Sequence, residues 1–283
     1  MTPRYGLKTP PQHGPWADFL DTWRAADEIE VFESAWNFDH FYPLTEPLDG
    51  TCLEGWTMLA ALAQATSRIK VGSMVNGMHY RHPAVTANMA VTVDHISAGR
   101  FQLGLGAGWM EPESDAYGIP LGSKKERSDR FEEGVEVIVS LLRNEFTTFS
   151  GRYYELMNAR CEPKPLQQPN PPIVIGGKGK TRTLRTAARF ADHWDYTFPT
   201  GTAEWLEHDE VLRSHCEAVG RDQAEITRSV HLGYSVDSDV DALVADAQPF
   251  FDVGVDLVIF SMRGPYSASE VDRLGNAIVR RGT

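Results

Sequence analysis

PPIVIGGKGKTRTLRTAARFADHWD, residues 171–195, holds a strand, a glycine turn, a helix and a second strand in one short run. Pro172-Ile-Val-Ile175 is apolar on both faces, as a strand buried between two layers must be. Gly176-Gly-Lys-Gly179 breaks it, Thr183 to Phe190 reads as a helix, and His193 to Phe198 begins a further strand. A strand, a helix and a strand joined this tightly predict a parallel βαβ unit.

Working outward, the same unit recurs. Tyr5 to Thr9, Val31 to Trp36, Ile69 to Val75 (IKVGSMV) and Arg100 to Leu105 (RFQLGL) read as strands one to four. Ile226 to Val236 contains a seventh strand, and Val255 to Ser261 (VDLVIFS) is the eighth. Between them, apolar residues recur at helical spacing: Trp16, Phe19, Trp23; Met58, Leu59, Leu62; Val85, Met89, Val93, Ile96; and Phe131, Val135, Ile138, Leu142. Ala203 to Val219, then Val240, Leu243, Ala247 and Phe250, then Val271, Leu274 and Ile278 supply the later helices. Eight strand–helix units in order predict an α/β fold, a (β/α)8 TIM barrel forming a single domain over residues 1–283. The rival is a doubly wound open sheet. Thr147 to Pro172 is less regular and is expected to be an insertion, after the fourth helix, lying over the barrel mouth.

Bulk composition narrows the class. The 283 residues fit one barrel with insertions. Lys plus Arg is 27 and Asp plus Glu 39, a formal charge of −12, the wrong sign for a nucleic-acid partner. Cys52, Cys161 and Cys216 are scattered without a pairing or metal pattern, as reduced cytosolic thiols would be. MTPRYGLKTPP lacks the apolar core of a signal peptide, and no apolar run approaches the roughly 18 residues that span a bilayer. A cytoplasmic protein acting on a small molecule, with no membrane or nucleic-acid partner, is expected.

In such barrels the chemistry lies where strands end. The second strand ends in Asn37-Phe-Asp39-His40, the third in Met74-Val75-Asn76-Gly77, the fourth in Gly104-Leu-Gly106-Ala-Gly108-Trp109, and the fifth in Gly176-Gly177-Lys178-Gly179. Histidine as a residue type titrates near neutrality, so His40 is a candidate general acid or base, or a hydrogen-bonding ligand to a ring. Glu111 and Glu113 are candidate acid and base. The loop from Gly176 to Thr181, with Lys178 or Lys180 and the Thr181 hydroxyl, suits a phosphate at a helix N-terminus, although its spacing is not that of a P-loop. The glycines from Gly104 to Gly108 are expected to let a flat ring lie against the strand end. Trp36, Trp109 and Trp194 are candidates to wall a pocket. His79, His82 and His95 match no zinc spacing, so no metal site is expected.

Five segments then carry a resemblance: DHFYP (39–43), YRHPAVTANMAVTVDHISAGR (80–100), LGLGAGWMEPESDAYGIP (103–120), residues 171–195 and HCEAVGRDQAEIT (215–227). Together they resemble the luciferase-like monooxygenase superfamily, in particular its actinobacterial branch of deazaflavin (coenzyme F420)-dependent oxidoreductases. The resemblance implies a cofactor ring lying across the strand C-termini, backed by a non-proline cis peptide at Met74–Val75. It implies a phosphate site at Gly176, Gly177 and their neighbours, His40 as acid or base, and Asp39 beside the cofactor. Gly77, Gly106 and Gly108 complete the expected cofactor contacts, with Met74, Val75, Lys178, Gly179 and Thr181. The sequence departs from the family's sugar-phosphate dehydrogenases, which carry a proton-donating glutamate where Trp109 stands and basic residues for the substrate phosphate that find no match here. The expected activity is hydride transfer between a deazaflavin and a small organic substrate. An FMN-dependent monooxygenase is the alternative; a metal-dependent hydrolase and a non-catalytic flavin-binding protein rank below it. Dimers are common in the family, so a homodimer is compatible with the resemblance.

Overall fold

The computed structural model describes residues 3–282. Eight strands form the barrel: β1 (Tyr5–Lys8), β2 (Phe32–Asn37), β3 (Lys70–Ser73), β4 (Phe101–Gly106), β5 (Ile173–Gly176), β6 (His193–Tyr196), β7 (Thr227–Tyr234) and β8 (Leu257–Met262). Each pairs in parallel with its sequence neighbours, and β1 pairs with β8. Val71 opposite Phe101 and Gly72 opposite Gln102 join β3 to β4, which closes the ring. An open doubly wound sheet is thereby ruled out, because no edge remains between the first and last strands.

Helices coat the outside: α1 (Trp16–Glu28), α2 (Gly55–Ala65), α3 (Pro83–Ile96), α4 (Glu111–Tyr117), α5 (Lys124–Arg143), α6 (Thr183–Phe190), α7 (Thr202–Val219), α8 (Val240–Asp252) and α9 (Ala268–Arg280). Their local starts are well specified. Glu54 accepts from the amides of Trp56 and Thr57 at the head of α2, and Ser123 with Glu126 makes a reciprocal capping box at α5. The predicted stripe Phe131, Val135, Ile138 and Leu142 is the buried face of α5.

Two apolar layers result. The larger lies between strands and helices, with Leu7, Phe19, Trp23, Phe101, Ile173 and Trp194 fully buried. The smaller fills the barrel axis with Trp36, Met74, Val174, Leu257 and Ile259, and Val75 packs on it. This plug forms the floor beneath the strand C-termini.

The insertion after α5 is present but not where the sequence placed it. Thr147–Ser150 and Glu155–Ala159 form an antiparallel hairpin on the flank of α5, where Glu133 accepts from the amides of Arg152 and Tyr153. The chain then returns to the N-terminal end of the barrel. There Gln167 Nε2 donates to Asp94 Oδ1 (2.6 Å) and to the carbonyl of Phe101, the first residue of β4 (2.7 Å). Lys164 secures the return by donating to the carbonyls of Leu141, Asn144 and Cys161. The segment braces the side and base, and the mouth is shaped instead by the loops after β2, β3, β4 and β6. Among the described residues no helix is long and apolar enough to cross a membrane.

Candidate active site

A cavity of about 490 Å³ opens at the C-terminal ends of the strands, a size usual for small-ligand sites. It gathers most of the residues expected from sequence: Asp39, His40, Met74, Val75, Gly77, Gly106, Gly108, Gly176 and Gly177. Lys8, His79, Tyr80, Thr183, Asp195 and Phe198 join them.

Its floor is a shelf. The Met74–Val75 peptide is cis, as the resemblance implied, and Val75 turns into the space between β4 and β5. A Cβ on Gly106 would lie 2.6 Å from Val75 Cγ2, and one on Gly176 would lie 2.8 Å from Val75 Cγ1. The glycines of the fourth and fifth strand ends therefore make room first for the valine, and only through it for a ring. This corrects the expectation that the ring lies directly on the glycines of β4.

His40 sits on the wall with a fixed orientation. Its Nδ1 is 2.9 Å from Glu113 Oε2. Glu113 is completely buried and also accepts from the Phe41 amide, the Tyr42 amide (3.0 Å) and the Tyr80 hydroxyl. Burial works against the Glu113 charge, but the bonds from His40, Tyr80 and Phe41 hold its pKa below the ordinary carboxylate value. The carboxylate thus accepts the hydrogen bond of Nδ1–H, and among the described residues Nε2 has no hydrogen-bond partner. Phe38, Tyr80 and Trp109 surround the imidazole edge-on at 5.1, 6.4 and 5.6 Å between ring centres.

The two glutamates expected as acid and base separate here. Glu113 lies behind His40, away from the cavity surface. Glu111 begins α4 with an exposed side chain and does not reach the cavity, because consecutive odd positions on a helix point to different sides. Glu113 buttresses His40 from behind, and Glu111 makes no side-chain hydrogen bond or ion pair among the described residues.

Asp39 is held rather than free. Arg81 donates to both its oxygens, at 2.7 and 2.9 Å, and to Glu54 at 3.0 Å; the Gly77 amide adds a bond at 3.2 Å. Burial works against the Arg81 charge, yet Asp39 and Glu54 hold its pKa above the ordinary value. This network ties the loop after β2 to the loop after β3 beneath the cavity wall.

The candidate phosphate loop is narrower than expected. Gly176, Gly177 and Thr183 border the cavity, but Lys178, Gly179 and Thr181 do not. Lys178 is drawn away by the Phe198 carbonyl (3.3 Å), Glu204 (3.5 Å) and the face of Tyr196. Lys180 pairs with Glu207, and Thr181 is exposed. What remains is a glycine turn at the head of α6 with one threonine, the Gly177 amide donating to the Asp195 carbonyl at 3.1 Å.

Opposite His40 the barrel interior carries polar groups that the strand-end reading missed, because they stand inside strands. Ser229 Oγ and Thr197 Oγ1 donate to Asp195 at 2.7 and 3.0 Å, and His231 Nε2 lies 3.0 Å from it. Burial alone would raise the Asp195 pKa; His231, His193 and Lys8 around it hold it well below the carboxylate range. His79 also borders the cavity; burial pushes its pKa down to about 4, and its Nδ1 has no partner among the described residues. No cluster of metal-ligating side chains occurs among the described residues.

Comparison with known proteins adds to this geometry. The profile of the luciferase-like monooxygenase family matches residues 3–278. A stretch covering 75% of the chain is 34% identical to an F420-dependent glucose-6-phosphate dehydrogenase of Kineococcus radiotolerans, and spans 62% of that relative's length. A pyrimidine monooxygenase (RutA) of Cronobacter sakazakii is 33% identical over 60% of this chain and 50% of its own. Among solved structures, an F420-dependent secondary alcohol dehydrogenase in complex with an F420-acetone adduct superposes with a TM-score of 0.88, covering 98% of this chain and 99% of that one; at 18% identity the likeness concerns the fold.

Proposed function

Because the chain belongs to the luciferase-like monooxygenase family, we propose that it is an oxidoreductase moving a hydride between a deazaflavin of the coenzyme F420 type and a small organic substrate whose reacting carbon bears a hydroxyl or carbonyl. The observation that carries this reading is the His40–Glu113 pair on the wall of the shelf-floored cavity.

The residues present fit such a cofactor. The Met74–Val75 shelf offers a flat apolar support, and Gly106 and Gly176 leave no Cβ in its way. Thr183 and the turn before it would hold a phosphate at the head of α6. When bound, a deazaflavin supplies a carbon centre that gives or takes a hydride and reacts poorly with oxygen.

The chain's own groups do the rest. Glu113 accepts the hydrogen bond of His40 Nδ1–H, which turns the Nε2 lone pair toward the cavity. His40 Nε2 takes the proton of a substrate hydroxyl as the carbon is oxidised, and returns it in the reverse direction. The buried carboxylate stabilises the imidazolium formed in between. Phe38, Leu44 and Trp109 give this corner of the cavity an apolar lining. Trp109, next to His40, also supports an uncharged substrate over a sugar phosphate.

FMN-dependent monooxygenation is the second reading, favoured by the likeness to the pyrimidine monooxygenase. Titrating the apo-protein with deazaflavin and with FMN, followed by fluorescence, separates the two. Tighter deazaflavin binding with oxygen-independent turnover is expected; tighter FMN binding with oxygen consumption overturns the first reading.

A further inference from the structure

Lys8 is a cation with nothing yet to do. On β1, Leu7 faces the helices and belongs to the outer core, while the Cβ of Gly6 would point at Ser34 and Ile259. Lys8, two residues on from Gly6, therefore also faces the barrel axis, where it borders the cavity and is only 8% exposed. Of its three N–H donors, one goes to the carbonyl of Met74 at 2.8 Å, the shelf residue itself. No other hydrogen bond and no carboxylate within 4.0 Å serves it among the described residues. The opposite charge it feels is Asp195 on β6, whose oxygens are already occupied by Ser229 and Thr197, with His231 of β7 alongside. Burial pushes the Lys8 pKa down to about 8, Asp195 pulling the other way.

A buried ammonium with two unused donors is expensive unless a partner arrives. The partner must be anionic, must enter the cavity, and must rest on the shelf whose carbonyl Lys8 already holds. A planar tricycle meets all three conditions. The hydroxydeazaflavin ring ionises at its phenol-like hydroxyl and spreads the charge to its pyrimidine carbonyls; reduced FMN ionises at the pyrimidine N1. We propose that Lys8 is the positioning residue that pairs with the anionic form of the cofactor ring and binds it in preference to the neutral form. This rests on the reading that the cavity holds a deazaflavin or flavin.

The test is a titration of the bound ring, independent of turnover. Deazaflavin is bound to the wild-type protein and to Lys8→Met, and the neutral and anionic absorption bands are followed from pH 5 to 8. A cation at contact distance lowers an acid's pKa by roughly 1–3 pH units. The bound wild-type ring should therefore ionise below the free cofactor, and Lys8→Met should return it by about one pH unit or more. The variant should also bind the anion at least about tenfold more weakly, with the two proteins converging where the ring is neutral. A wild-type bound ring that ionises at or above the free value overturns the proposal without any variant, as does an unmoved titration in a folded Lys8→Met. If the wild type binds FMN but not deazaflavin, the deazaflavin reading fails on its own. The Lys8 assignment is then decided by whether reduced FMN is bound as the anion in the wild type and as the neutral form in Lys8→Met. Binding of neither ring overturns both.

Discussion

Replacing Glu113 by glutamine changes one oxygen to NH2 and removes the charge behind His40. The Phe41 and Tyr42 amides both reach Oε1, which the amide side chain retains. Oε2 receives two donors, His40 Nδ1–H and the Tyr80 hydroxyl, and it is this oxygen that becomes a donor. A hydrogen bond to a charged group contributes about 1.5–3 kcal/mol, and the Tyr80 hydroxyl can turn to accept, so we expect a stability loss of about 2–4 kcal/mol. The imidazole must then accept at Nδ1 and carry its proton on Nε2, the wrong tautomer for taking a hydroxyl proton. Saturated turnover should fall by roughly 10²–10⁴-fold. Deazaflavin affinity should change by less than about threefold, under 1 kcal/mol, because Glu113 does not border the cavity. Since Glu113 acts through His40, Glu113→Gln in a His40→Ala background should add little further loss. Urea denaturation, ring binding and steady-state turnover on the same samples check each term. A folded Glu113→Gln enzyme with near-normal turnover would refute the positioning role and, with it, the tautomer argument for His40.

Two further perturbations probe the shelf and the barrel interior. Gly106→Ala sets a methyl 2.6 Å from Val75 Cγ2, a stiff β-branched neighbour, and should cost about 1–3 kcal/mol with weakened ring binding. Adding Val75→Ala should recover most of the stability, and denaturation midpoints that simply add would show that the two do not collide. His193 is buried, and burial pushes its pKa down to about 4 from an ordinary 6.5. The unfolded chain therefore binds a proton that the folded chain refuses, so stability should fall by about 3 kcal/mol as pH drops from 6.5 to 4. His193→Gln should remove that part of the slope, and parallel stability curves for the two proteins would contradict it.

The strands were legible because their burial on two sides leaves runs such as VDLVIFS and IKVGSMV that no amphipathic helix would carry. His40, the Met74–Val75 shelf and Gly176-Gly177 were legible in turn because each stands just past a strand, and topology brings strand ends to one rim. Glu111 and Glu113 were indistinguishable because α4 has seven residues, too few for a periodic face to reveal which one turns inward. Lys8, Asp195 and His231 were missed because they stand within strands, where a polar residue facing the axis reads like one facing solvent. The grip of Arg81 on Asp39 joins positions 42 residues apart and has no local signature. The insertion was misplaced for a related reason, since its anchors, Gln167 to Phe101 and Lys164 to Leu141, are side-chain bonds to distant carbonyls.

The most direct test of the account is saturated turnover of His40→Ala measured beside its deazaflavin affinity. Loss of the group that moves the hydroxyl proton should lower turnover by roughly 10²–10⁴-fold and remove a limb of the pH–rate profile. Ring binding should persist, because the Met74–Val75 shelf, Gly177 and Thr183 remain in place. A folded variant that keeps near-normal saturated turnover, or that loses ring binding while keeping turnover once loaded, would contradict the claim that His40 moves the proton.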